Sequence, residues 1–473
     1  MMATKGEICW TSAFDLAELV RQKKLSPIEI VKRFLECIDR INPKINAYVT
    51  VCAEQALTDA AAAEQAVVQG EALGPLHGVP FCVKDVTFTR GVRTTMGSKL
   101  RENFVPSEDA VLVARLKKAG GIMIGKTNTP EFATIPYTEN ALFGVTRNPW
   151  NMDRAVGGSS GGAAAAVAAG LCPLATGNDA GGSIRIPASC CGVVGIKPQY
   201  GRVPSYPIFH QWESINHEGP ITRTVRDAAL MLDIMAGPHW GDRFSLPKHK
   251  SFLNALEGDI AGLKAGWSPD LGYAKVGEEV KRHSEDAIRK FSDLGLQVEE
   301  AAPEIGKQEQ TYLTIINAEL AAMMSLFGPI EQIRNHLEPQ LAERIEQAQT
   351  ITTDDYLKAG FARRELSARV GEFFTRYDLL LTPTIGVTAW PIGLPGRIVD
   401  EVDGEMVSSR DWLLTYPFNL SGHPAVTVPI GFSSEGLPVG LQIVGPASNE
   451  ATVLRVAAAY EAAYPWADKT PSI

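Results

Sequence analysis

The chain has 473 residues, 45% hydrophobic and 21% charged, with a net charge of −9. That is an ordinary globular composition with ample material for a core, and its acidic balance argues against nucleic acid or an anionic membrane as partner. Seven cysteines (9, 37, 52, 82, 172, 190 and 191) are scattered without a C-x-x-C pair, which predicts buried free thiols in a reducing compartment.

Residues 1–10 lack the apolar core of a signal peptide, so a cytoplasmic location is expected. Ser26-Pro27-Ile28-Glu29 reads as a helix start, with a serine N-cap, proline at the first position and a glutamate three residues after the cap. Ile30, Val31, Phe34, Leu35, Ile38 and Ile41 then recur at helical spacing, which predicts an amphipathic helix ending near Asn42-Pro43. An alanine-rich helix follows over about 53–68, with Gly70 beyond it. Next come a strand ending on Lys84, a helix over 108–119, a strand over 121–124, a helix over 163–169, a strand to Ala175 and a helix from near Ser183. This alternation predicts an α/β fold, a sheet with helices on both faces. The uncharged stretch 157–178 is rich in small residues and broken by Pro173, so it reads as close-packed helix rather than a membrane span.

Segment 224–237 is another capped helix, and from about 250 to 375 the texture changes to charged helices over 277–294, 308–326 and 354–376. Strand-like stretches return at 378–382, 425–430 and 438–444. The expectation is one domain over 1–473: N-terminal helices to 70, a core over 71–250, a helical insertion over 251–376 that forms part of a pocket wall, and a C-terminal return to the sheet over 377–473.

Three stretches carry chemistry. Gly78-Val-Pro-Phe-Cys-Val-Lys-Asp85 delivers a lysine on the end of an apolar strand. Gly157-Gly-Ser-Ser-Gly-Gly162 follows, then Ala175-Thr-Gly-Asn-Asp-Ala-Gly-Gly-Ser183, a glycine loop able to aim several N–H groups at one point, as a developing oxyanion requires. Serine is a poor nucleophile until a base takes its proton, and lysine serves as that base only when neutral. Burial beside Phe81 and Val83 favours the neutral amine; Asp85 would oppose this if it faced the same way.

In these stretches, and in Gly192-Val-Val-Gly-Ile-Lys-Pro198, Leu380-Leu-Thr-Pro-Thr384 and the segment from Asn419 to Pro429, the chain closely resembles the amidase signature family. The resemblance covers most of the chain. It implies an α/β/α sandwich around a mixed central sheet, and an amidase that hydrolyses the C–N bond of small neutral amides through a serine acyl-enzyme, without cofactor or metal. By the same resemblance Ser183 is the nucleophile, Lys84 the general base and Ser159 the proton relay after a cis Gly158–Ser159 bond. The N–H groups of Ala180, Gly181, Gly182 and Ser183 would form the oxyanion hole. Asp179 and Arg185 are either orienting partners in that loop or a structural ion pair. Segments 131–137, 205–217 and 308–326 are the expected pocket walls, with Thr134, Tyr137 and Ile316 as substrate contacts. The implied partner is a small-molecule amide; a homodimer is compatible with the sequence.

Two local patterns compete. Gly120-Gly-Ile-Met-Ile-Gly-Lys-Thr127 fits a phosphate-binding loop, but its middle reads as a strand rather than a turn into a helix. Gly157-Gly-Ser-Ser-Gly161 fits the nucleophile elbow of a Ser-His-Asp hydrolase, with Ser159 as nucleophile and His423 as its base, yet the preceding 148–154 is not a buried strand. Within the family the alternative is the glutaminase component of a tRNA-dependent amidotransferase, which Thr127-Asn-Thr-Pro-Glu-Phe-Ala133 also resembles. Where that component carries Arg-Tyr-Asp-Gly, this chain has Ile315-Ile-Asn-Ala-Glu-Leu-Ala-Ala-Met-Met324, which predicts an apolar wall of Ile315, Ile316, Met323 and Met324 and a stand-alone amidase.

Overall fold

The computed structural model describes residues 8–207, 212, 214–394 and 399–473. Its first elements are helices α1 (Ala13–Arg21) and α2 (Pro27–Ile45), strand β1 (Tyr48–Val51) and helix α3 (Ala53–Gln69). Ser26 caps α2 by accepting from Ile28 N and Glu29 N. The helix runs on through Pro43 to Ile45, further than the proline suggests. Ile45 is fully buried, and Asn46, in the left-handed region, closes the helix by donating to the Asn42 carbonyl. Gly70 ends α3 in the same conformation.

The core alternates as expected: β2 (Pro80–Lys84), α4 (Val111–Lys118), β3 (Ile122–Thr127), a small hairpin of β4 (Arg147–Asn148) and β5 (Asn151–Ala155), α5 (Gly161–Ala168), β6 (Leu174–Asp179), α6 (Arg185–Cys191), β7 (Val194–Lys197), β8 (His217–Thr222) and α7 (Val225–Met235). Beyond it lie β9 (Lys264–Trp267), α8 (Glu278–Asp293), β10 (Gln297–Glu300), α9 (Glu309–Met324), α10 (Ile330–Ile333), α11 (Pro339–Ala348) and α12 (Thr353–Phe373). The last part holds β11 (Leu379–Pro383), the short pair β12 (Glu401–Val402) and β13 (Glu405–Met406), α13 (Pro417–Leu420), β14 (Ala425–Phe432), β15 (Pro438–Val444) and α14 (Glu450–Ala463).

Eleven strands form one mixed sheet in the order β1-β3-β2-β6-β8-β7-β14-β15-β11-β9-β10. Strands β2, β3 and β6 run parallel, whereas β8, β7, β14 and β15 pair antiparallel. Every residue of β2, β3, β6 and β15 is buried, as expected for strands covered on both faces. The phosphate-loop pattern falls on β3, so its lysine and threonine are strand residues. The segment 251–376 differs from a purely helical insertion, since β9 and β10 extend the sheet in parallel beside β11.

Helix α5 consists of Gly, Ala and Val and is wholly buried. A Cβ on its Gly162 would lie 2.4 Å from the Asn128 nitrogen, so only glycine lets this helix lie so close to the end of β3. That close approach carries the turn before α5, and with it Ser159, against the ends of β2 and β6. Among the described residues no single helix is long and apolar enough to cross a membrane.

Candidate active site

Lys84 is the last residue of β2 and is fully buried. Its Nζ donates to Ser159 Oγ at 2.7 Å and also to Asn178 Oδ1. Burial lowers its pKa to about 7, against the opposing pull of Glu218 and Asp179, so a large share of the amine is neutral near pH 7. Asp85 does not face it: that carboxylate accepts from Thr95 N and Thr95 Oγ1, and burial raises it to about 6.

Ser159 follows a cis Gly158–Ser159 peptide, as the family resemblance implied. A Cβ on Gly158 would sit 2.5 Å from the Tyr137 nitrogen, so the adjoining segment 136–137 leaves room only for glycine. The neighbouring Ser160 ties the two serine loops together: its N–H donates to the Ser183 carbonyl at 3.0 Å and its hydroxyl to the Asn178 carbonyl at 3.3 Å. Ser183 sits between β6 and α6, after Gly182 at φ 126°. Of the three residues it alone is partly exposed, while Lys84 and Ser159 lie behind it in the interior.

The loop before Ser183 is held by a buried ion pair. Arg185 Nε and Nη2 donate to the two Asp179 oxygens at 3.0 and 2.9 Å, and the guanidinium also reaches Gln442, Asn419 and the Thr415 carbonyl. Burial alone would raise the Asp179 carboxyl, but Arg185, with Asn419, holds it well below the ordinary carboxylate range. The expected alternatives for Asp179 and Arg185 therefore merge, because the ion pair is itself what orients the loop. Gly182 departs from its expected role: its N–H already donates to Asp179 Oδ1 at 2.7 Å. Ala180, Gly181 and Ser183 are the donors this leaves.

The substrate side is more mixed than the sequence suggested. Ile316, on α9, is buried with Ile315, Tyr312 and Ala180 in one apolar cluster. Met323 and Met324 belong to a different cluster, with Phe132 and Leu320, so they do not join that wall. Tyr137 is buried against Trp390. Thr134 lines a cavity of about 320 Å³ together with Ile135, Leu313, Arg344 and Arg410. Of the expected wall 205–217, residues 208–211 and 213 lie outside the described residues; Trp212 is buried and donates to the Ile316 carbonyl.

Sequence reasoning missed three features. Tyr312 presses its hydroxyl on the loop between β6 and α6, 2.0 Å from where a Cβ on Gly181 would stand. Arg344 and Arg410 bring two guanidinium groups to the cavity beside Thr134; among the described residues Arg344 Nη2 and Arg410 Nε are buried without a hydrogen-bond partner. Glu218, on β8, acts electrostatically on Lys84, favouring its charged form. Tyr312 and the arginines at 344 and 410 stand plainly in the sequence, but nothing local marks the first as a neighbour of Gly181 or the others as neighbours of Thr134.

His423 is buried against Phe374, and burial lowers its pKa to about 4. Among the described residues no hydrogen bond joins it to Ser159 or Ser160. The strand before Ser159 belongs to the outlying β4–β5 hairpin rather than to the central sheet. Neither observation suits a nucleophile elbow.

The amidase family model matches residues 29–454. The chain is 42% identical over 472 residues to an acylamidase of Rhodococcus erythropolis, covering 99% of this chain and 98% of that one. It is 38% identical over 493 residues to a glutamyl-tRNA(Gln) amidotransferase component of Moorella thermoacetica, covering 99% of each. The solved structure of a bacterial aryl acylamidase of the amidase signature family superposes with a TM-score of 0.91 at 34% identity, covering 97% of each chain.

Proposed function

The chain belongs to the amidase signature family and is an amidohydrolase acting on C–N amide bonds, and on that premise we propose that it cleaves small neutral amides through an acyl-enzyme on Ser183. The observation that carries this reading is the buried Lys84–Ser159 hydrogen bond behind a partly exposed Ser183. Ser159 takes the Ser183 proton while passing its own to neutral Lys84, and the Ser183 oxygen attacks the amide carbonyl. The carbonyl oxygen becomes an anion facing the N–H groups of Ala180, Gly181 and Ser183, held in place beforehand by the Asp179–Arg185 pair. The Lys84 ammonium returns its proton through Ser159 to the departing amine, leaving the acyl group on Ser183. Water, activated by the same relay, releases the acid.

The apolar cluster of Ile315, Ile316 and Tyr312 at Ala180 suits an acyl or aryl group, whose burial is worth roughly 25 cal/mol per Å². Acylamidase relatives fit the same reading. A second reading rests on Arg344 and Arg410: two cations with unpaired buried nitrogens favour an amide that also carries a carboxylate, such as glutamine. Ammonia release from glutamine, measured beside amine release from an anilide or a hydrophobic primary amide, tests the choice. The purified chain alone should prefer the neutral amide, without ATP or tRNA. A clear preference for glutamine, especially one requiring partner proteins, would overturn the first reading in favour of the second.

A further inference from the structure

Strands β6 and β8 pair antiparallel with Asn178 directly opposite Glu218, so both side chains share one face of the sheet. Asn178 is also the residue whose Oδ1 accepts from Lys84 Nζ. Behind these residues lies a small cavity of about 40 Å³, room for a water molecule, lined by Asn178, Asn216, Glu218, Thr87 and Ser205 among others. Glu218 is partly exposed as a residue, yet among the described residues its Oε2 is buried without a hydrogen-bond partner; its Oε1 accepts from Asn216 at 3.1 Å. A carboxylate with an unsatisfied buried oxygen, separated by the single strand β6 from a lysine that must become cationic during the reaction, has an electrostatic partner within reach.

We propose that Glu218 is a positioning residue for the base: through Asn178 and the shared cavity, its carboxylate stabilises the ammonium that forms on Lys84 when the relay removes the Ser183 proton. The inference rests on the assignment of Lys84 as the base. Glu218 exchanges no proton in this step, which runs from Ser183 to Ser159 and from Ser159 to Lys84, then back to the leaving amine. Its charge acts on the transient cation much as a buried aspartate acts on an imidazolium in other serine hydrolases.

The other charges around the pair are already committed. Asp179 is locked to Arg185, and burial keeps His217, its neighbour on β8, neutral. Toward the β2–β3 side, Lys126 donates to the Thr87 carbonyl and to Thr89 and Thr94, and Asp85 is held by Thr95. Burial raises Glu218 to about 7, with Asn216 and Lys84 pulling the other way. Its carboxylate is therefore fully ionised only on the alkaline side of neutrality.

The test is the pH profile of kcat and kcat/KM for Glu218→Gln, with Lys84→Ala beside it. Removing the carboxylate makes Lys84 easier to deprotonate, so the acid limb should move to lower pH by about half a unit or more. The alkaline plateau of kcat should fall about tenfold because the transient ammonium loses its partner, and KM should stay close to its original value. Asn216→Ala, which keeps the carboxylate but makes it harder to ionise, should move the limb the same way by less. It covers the case in which the glutamine variant folds poorly. If Lys84→Ala is inactive while neither variant moves the limb, whether or not the plateau falls, the inference about Glu218 is overturned and the base assignment stands. If Lys84→Ala keeps its activity, the base assignment fails, and the inference with it.

Discussion

As the proposed base, Lys84 can work only while it is neutral, so its protonation is expected to set the acid side of the activity. With burial placing its pKa at about 7, kcat/KM should fall about tenfold per unit below that pH and level off above it, well below the ordinary lysine value of about 10.4. Lys84→Ala should lower turnover by about a hundred- to ten-thousand-fold, the range of general-base catalysis. His423→Ala should cost far less, because His423 packs on Phe374 and is held neutral by burial. Steady-state kinetics of the two variants across pH 5–9 check both statements. A dead histidine variant with a live lysine variant would return the assignment to a serine–histidine hydrolase.

At the level of elements, the loop from β6 to α6 is built around one ion pair and one close contact. Arg185→Met would leave Asp179 as an unpaired buried charge, a loss on the order of 3–5 kcal/mol. Thermal unfolding should show a lowered Tm together with lost activity. The pair holds the Asp179 carboxyl below its unfolded pKa. Its stabilisation is therefore fully present above about pH 3.9, the ordinary aspartate value, and fades as the pH falls below it. The Arg185→Met variant should accordingly lose more stability at pH 7 than at acid pH. Gly181→Ala would place a methyl group 2.0 Å from the Tyr312 hydroxyl. Even a shift of about 1 Å in the proposed oxyanion donors is worth roughly a hundredfold in rate, so kcat should drop with little change in Tm. A fully active alanine variant would mean that Tyr312 does not fix the loop.

Across the whole molecule, what the sequence revealed follows the range of the interactions. Helices and strands with strong local signals fell where expected: β2 ends on Lys84, α3 stops at Gly70, and β11, β14 and β15 return the chain to the sheet. The stretches that carry Lys84, Ser159 and Ser183 stood out because each is a short continuous motif, the two serine stretches being rich in glycine. Strands β9 and β10 were hidden among charged helices, since an edge position leaves β10 mostly exposed and without the usual alternation. The continuation of α2 through Pro43 depended on the burial of Ile45. Glu218 and Tyr312 were invisible for a deeper reason. The first reaches Lys84 through the register of two strands about forty residues apart, and the second reaches Gly181 from a helix beyond the core. The cavity beside Thr134 likewise unites segments near 134, 313, 344 and 410.

Everything proposed for the mechanism turns on which serine carries the acyl group. Treating the purified chain with a serine-directed phosphonate or sulfonyl fluoride and mapping the adduct by peptide mass spectrometry tests it directly. The adduct should lie on Ser183, the partly exposed serine of the loop between β6 and α6, and be absent from Ser183→Ala. An adduct on Ser159 or Ser160 would contradict the assignment.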